Sequence, residues 1–240
     1  MSDVSSLIKL MMDITSKASR FLSRDYYELK SLQSSKKSTK PFVDKAILKI
    51  NNFILSELQR VRPEFGVDSP DFKKDSIDEN KATWLVNIMD GEENFSRAIP
   101  LFGIGIAIEE LIYGNQEITY GLIAFPILDE VYFSERGKGS WYVGTTGKFT
   151  GTTRLRVSER KTDDSPLILD HTGSSSLKGS TKNFGSDLLA CSCVASGRAD
   201  IAMINSVSSQ NAAGVILVKE AGGVVEQKGK FLMCSNGHSG

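Results

Sequence analysis

Apolar residues recur at helical spacing near the start of the chain, where Leu7, Ile8, Leu10, Met11, Ile14, Ala18, Phe21 and Leu22 form one stripe within residues 3–29. Such a stripe predicts a core-facing amphipathic helix. The polar run Ser31–Lys40 reads as a loop. Phe42–Val61 then resumes the helical pattern through Ile47, Ile50, Ile54, Leu55 and Leu58, and Pro63 stops it. From Trp84 the period shortens. Leu101–Ile108, Ile118–Leu128, Val131–Phe133 and Ser140–Val143 predict a meandering antiparallel sheet. Gly137-Lys138-Gly139 is a turn between two of these strands, because a phosphate-cradling glycine loop needs a helix start behind it and Trp141-Tyr142-Val143 follows instead. The second half alternates. Pro166–Leu169 reads as a strand, Gly185–Ser196 as a helix, Ile201–Ile204 as a strand, Asn211–Ala221 as a helix closed by Gly222-Gly223, and Val224-Val225 with Phe231–Cys234 as strands. That order predicts a layered α/β architecture with two sheets and helices between them. We expect one unit over residues 1–240, with N-terminal helices and a large sheet in 1–150 and an α/β half in 151–240.

Composition narrows the partners more than the fold. With 240 residues, 40% of them apolar, the chain can bury a large core. Lys+Arg and Asp+Glu balance at 29 each, so no global basic field recommends nucleic acid as a direct partner. No signal-like block opens the sequence and no apolar run approaches the roughly 20 residues needed to span a bilayer, so a soluble cytoplasmic protein with no membrane partner is expected. Cys191, Cys193 and Cys234 are an odd count and read as buried free thiols; zinc would have only His171 and His238 to add. Asp170-His171 could be half of a nucleophile system with Ser174–Ser176, but without nucleophile-elbow spacing a polar loop after a strand is the better reading. Trp84 and Trp141 could stack on bases, yet both lie in apolar strand patterns and read as core.

Three segments carry a resemblance. Trp84-Leu85-Val86-Asn87-Ile88-Met89-Asp90-Gly91-Glu92-Glu93-Asn94-Phe95 is similar to a tryptophan, two apolar residues, then Asp-Pro-Ile-Asp-Gly-Thr-x-Asn-Phe. Gly185-Ser186, Leu188-Leu189 and Ala195-Ser196-Gly197-Arg198-Ala199-Asp200 resemble a Gly-Ser-x-Ala-Leu helix with a Gly-Arg-x-Asp exit. Ala212-Ala213-Gly214 through Glu220-Ala221-Gly222-Gly223 is similar to a stretch that begins Trp-Asp-x-Ala-Ala-Gly and ends Glu-Ala-Gly-Gly. Together they resemble the inositol monophosphatase family, in order and separation, over nearly the whole chain. The resemblance implies an αβαβα sandwich of the inositol monophosphatase and sugar phosphatase type. It also implies a homodimer, and a site at the sheet ends where magnesium meets a small phosphorylated substrate. Some bacterial relatives act in transcription complexes apart from phosphatase activity.

The implied chemistry needs anions. Magnesium takes near-octahedral oxygen, chiefly from carboxylates, water and substrate phosphate. The family's ligands come from Gly-Glu-Glu, both aspartates of Asp-Pro-Ile-Asp, and the Asp of Trp-Asp. By resemblance these positions fall here on Val67, with Asp68 beside it, on Asn87, on Asp90 and on Gln210; Asp44 matches an outer metal-site Asp. Asp90 alone of the four principal positions keeps its acid, and Glu92 stands where a threonine helps activate water. Phosphate would meet the backbone N–H groups of Gly91 and Glu92, with Gly185 and Ser186 near the sugar, while the region of the sugar-contacting acid, around Met203 and Ile204, carries no carboxylate. Two readings follow. In one, lost charge leaves magnesium weakly held or absent and the chain acts as a dimeric binding or regulatory protein. In the other, Asp90, Asp68, Glu92 and Glu93 hold magnesium or manganese in an active phosphatase of polyols, sugars or nucleotides. Local roles for the same acids also stand: Asp90 as a cap, Glu92 and Glu93 as solvated turn charges.

Overall fold

The computed structural model describes residues 4–34, 38–70, 72–73, 81–144, 151–161, 165–173, 177–206 and 208–238. Helix α1 (Ser6–Leu32) starts where the Ser5 hydroxyl accepts from the Ile8 N–H, and it buries Ile8, Met11, Ile14, Ala18, Leu22 and Leu29. This is the predicted stripe extended by one turn into the polar run. Helix α2 (Lys40–Val61) has proline in its first turn, where a missing N–H costs nothing, and ends before Pro63. The two helices pack together and cover one face of a large sheet.

That sheet has eight strands in the order β2-β1-β3-β4-β5-β6-β7-β8. They are β1 (Gly66–Ser69), β2 (Phe72–Lys73), β3 (Thr83–Asp90), β4 (Gly103–Ile112), β5 (Asn115–Phe125), β6 (Glu130–Glu135), β7 (Gly139–Gly144) and β8 (Gly151–Arg154). From β3 to β8 the sheet is antiparallel, and its β4–β7 part is the expected meander, whereas β1 runs parallel to β3. Every residue of β3 is buried, because helices cover both faces of the sheet. On the second face lie α4 (Asp187–Ala195) and α5 (Ala212–Glu220). They approach closely because Gly105 and Gly121 have no side chain: a Cβ there would meet Leu188 at 2.7 Å and Ile216 at 2.5 Å.

Beyond α4 and α5 lies a five-stranded sheet, β10-β9-β11-β13-β12, made of β9 (Leu167–Asp170), β10 (Ser180–Lys182), β11 (Ile201–Asn205), β12 (Val224–Lys228) and β13 (Phe231–Ser235). β10, β9 and β11 are parallel and β13 runs antiparallel to β11. Sandwiched between two sheets, α4 buries all nine of its residues, including Cys191 and Cys193; Cys234 on β13 is buried too, and all three thiols are free. The described elements thus form a helix pair, a sheet, a second helix pair and a second sheet. Among the described residues no helix is long and apolar enough to cross a membrane. The short β1, β2, β8 and β10, with α3 (Glu92–Ser96), escaped the hydrophobic pattern; β8 and β10 are wholly exposed and need no apolar alternation.

Candidate functional site

The carboxyl ends of strands from both sheets meet the N-terminus of α4. Asp90 ends β3, Asp170 ends β9, Asn205 ends β11, and Ser186 caps α4 with Asp187 as its first residue. Ligand sites of open α/β sheets sit at such strand ends.

Asp90 is 7% exposed. Its Oδ2 accepts from the Ser186 hydroxyl in a short hydrogen bond and from the Leu188 N–H at 3.1 Å. Ser186 Oγ in turn accepts from the Leu189 N–H at 3.0 Å. Two of the backbone donors that every helix start leaves open are therefore satisfied by one serine and one aspartate. Burial pushes the Asp90 carboxyl up to about 7; the bonds from Ser186 and Leu188 oppose that, and the charge of Asp187 adds to it. Near neutral pH this acid is only partly an anion.

Gly91 follows in the left-handed region at φ 81°, and a Cβ there would stand 2.6 Å from the Leu101 carbonyl. It starts α3, whose first turn carries the exposed Glu92 and Glu93. Asn94 donates to the Leu101 and Phe184 carbonyls, both at 2.7 Å, and holds Gly185 against this turn. Gly91, Gly185 and Ser186 are thus brought together around Asp90.

The other predicted acids are not. Glu92 lines a cleft of about 430 Å³ with Asp44, Lys40 and Arg97, and Asp44 is paired with Lys40 at 3.0 Å. Asp68 lies level with Leu85, five residues before Asp90 on β3, or roughly 16 Å along the strand. Its charge is felt instead by Glu109, whose carboxyl is raised first by burial and then by Asp68. Val67 lies level with Trp84, six residues before Asp90 on β3, and is 2% exposed in the core that the first two helices share with the large sheet. The same register carried forward sets Pro70 level with Asn87, and proline has no carboxylate either. Asn87 and Gln210 do meet: Asn87 Nδ2 donates to the Gln210 carbonyl at 2.8 Å.

One pair escaped the sequence reading. His171 Nδ1 lies 2.6 Å from Asp187 Oδ1, and Asp187 Oδ2 accepts from the Asn205 N–H and side-chain amide, each at 3.3 Å. That bond, ahead of the desolvation opposing it, raises the His171 imidazole above its usual value; Asp90 and Asp170 add to the rise. Ser174–Ser176, which a nucleophile system with His171 would use, lie outside the described residues, and the nearby Ser186 hydroxyl is taken by Asp90 and Leu189. The signal in the sequence was a strand-end histidine and a helix-start aspartate, 16 residues apart.

With this geometry in place, the chain can be set beside known proteins. A model of the inositol monophosphatase family matches residues 3–233. The chain belongs to the inositol monophosphatase family. An inositol-1-monophosphatase of Mesorhizobium japonicum is 32% identical over 97% of this chain and 90% of that protein. A protein named Nus factor SuhB, from Xylella fastidiosa, is 25% identical over 91% of this chain and 80% of its own length. The crystal structure of extragenic suppressor protein SuhB from Bartonella henselae superposes with a TM-score of 0.80 at 28% identity, covering 98% of this chain and 95% of that one.

The inositol monophosphatase family is generally metal-dependent, and a magnesium site would need several oxygen donors converging near Asp90. The donor set does not fit. Among the described residues, no group of three or more His, Cys, Asp or Glu side chains could hold a metal ion. Asp90 is committed to α4, Asn87 and Gln210 are neutral, Asp68 lies level with Leu85, five residues back along β3, and Asp44 and Glu92 line a cleft that Asp90 does not border. The layered fold of the inositol monophosphatase family is kept.

Proposed function

We propose that this chain is a member of the inositol monophosphatase family that has lost metal-dependent hydrolysis of phosphate monoesters and serves as a dimeric binding or regulatory protein. One observation carries the reading: the only acid kept at the four ligand positions, Asp90, is buried and spent on the N-terminus of α4. A buried carboxylate whose Oδ2 already accepts from Ser186 and Leu188 has less to offer a magnesium ion. Without two ions to orient water and offset charge on the leaving oxygen, phosphate-ester hydrolysis loses its main source of rate. A regulatory role draws support from the relatives, some named inositol-1-monophosphatase and others Nus factor SuhB. The dimer rests on resemblance over the whole chain.

The test is turnover. Purified protein is assayed for phosphate release from inositol 1-phosphate, fructose 1,6-bisphosphate and adenosine phosphates, with millimolar magnesium or manganese. No release above the blank is expected. Turnover that Asp90→Asn abolishes would overturn the proposal and establish the second reading, an active phosphatase working through Asp90 with substitute acids.

A further inference from the structure

The end of β11 and the turn 208–211 before α5 are held by amides. Asn211 is fully buried, and its side chain makes three hydrogen bonds. Oδ1 accepts from the Ser208 N–H at 3.1 Å, and Nδ2 donates to the Asn205 and Ser206 carbonyls at 2.9 and 3.1 Å. Ser208 Oγ accepts from the Gln210 N–H at 3.2 Å. The loop so formed presents the Gln210 carbonyl to Asn87, 123 residues earlier in the chain. Asn87 uses both ends of its amide. Nδ2 donates to Gln210, while Oδ1 accepts from the Met89 N–H at 3.3 Å across the irregularity in β3.

These bonds join β3, in the large sheet, to the turn that starts α5. An amide suits the place because it offers a donor and an acceptor at once. A carboxylate at position 87 would be acceptor-only, with an oxygen facing the Gln210 carbonyl at hydrogen-bond distance. Such a contact is repulsive unless a cation lies between the two oxygens. The geometry points to a clasp: Asn87, closing on the Gln210 carbonyl of the loop shaped by Asn211, holds β3 to the start of α5 by direct hydrogen bonding, at the spot where an anionic side chain would require a divalent cation. The clasp rests on the loss of metal proposed above, and it adds that the site's two halves stay registered with no ion present.

Thermal melting of the full chain in chelator and in millimolar manganese tests this, with hydrogen exchange as a second readout. The wild type should melt at the same temperature in both. Asn87→Asp should melt roughly 5–10 °C lower in chelator, as expected for a lost buried hydrogen bond plus charge repulsion in a chain of this size, and should recover part of that in manganese. Asn87→Ala, which adds no charge, should speed exchange at the amides of Ser208–Ala212 and show no recovery in manganese. The clasp is overturned if Asn87→Asp melts like the wild type in chelator, or if Asn87→Ala leaves those amides as protected as before. Destabilised Asn87→Asp with no recovery in manganese overturns the claim that the bond stands in a cation's place. A wild type that gains several degrees with manganese overturns the proposed loss of metal instead, so the two failures are distinguishable.

Discussion

Replacing Asp90 by Asn should stabilise the protein, and the gain should grow with pH. Both donors at this residue aim at Oδ2, a place the Asn carbonyl oxygen can take, so the cap on α4 survives. What changes is the charge. Asp90 titrates near 7 in the fold against an ordinary value of 3.8, because burial and the neighbouring Asp187 charge disfavour its anion. Between those two pH values the folded state holds a proton that the unfolded state has released, so wild-type stability falls as pH rises. About 3 units at about 1.36 kcal/mol each bound the effect near 4 kcal/mol. Half of that, about 2 kcal/mol, would raise Tm by roughly 4–8 °C in a chain of this length. The assay is circular-dichroism melting of both proteins in chelator from about pH 4 to about pH 8. Near the acid end Asp90 is protonated in the fold and only about half ionised in the unfolded chain, so the two melts should differ least; the gap should be complete above pH 7. A gap that does not vary with pH, or an Asn variant that loses stability relative to wild type as pH rises, would refute the reasoning.

Two further outcomes follow from the same region. His171 should titrate above the ordinary histidine value by NMR, and Asp187→Asn should bring its midpoint down toward about 6.5. Since the folded imidazole is the stronger base, the stability from this pair is complete below the unfolded value and is lost as pH rises through the folded one; an unchanged midpoint in Asp187→Asn would sink the assignment. Gly91→Ala places a Cβ 2.6 Å from a backbone oxygen at φ +81°, and should cost on the order of 2 kcal/mol or more, read as a lower urea midpoint. A midpoint within error of wild type would show that the turn can open without cost.

The periodic parts of the chain were legible without a structure. The stripe of α1, the pattern of α2, the meander from β4 to β7 and the alternation after Pro166 all follow from burial on one face or both, which leaves a repeating mark in the sequence. The neutral residues at 87 and 210, where the family resemblance expects acids, could likewise be read directly, since counting acids needs no coordinates. Which groups meet was a different matter. Whether Asp68 could join Asp90 depended on the register of β1 against β3, and a parallel pairing between short strands is fixed by neighbours that no local pattern records. Asp90 as a cap for α4, the His171–Asp187 pair and the bond from Asn87 to Gln210 link residues 98, 16 and 123 positions apart. Sequence determined the layers and the missing anions; only the packing of two sheets against α4 and α5 decided what the remaining polar groups hold, because hydrogen bonds of such span exist only once the distant strand ends have been brought together.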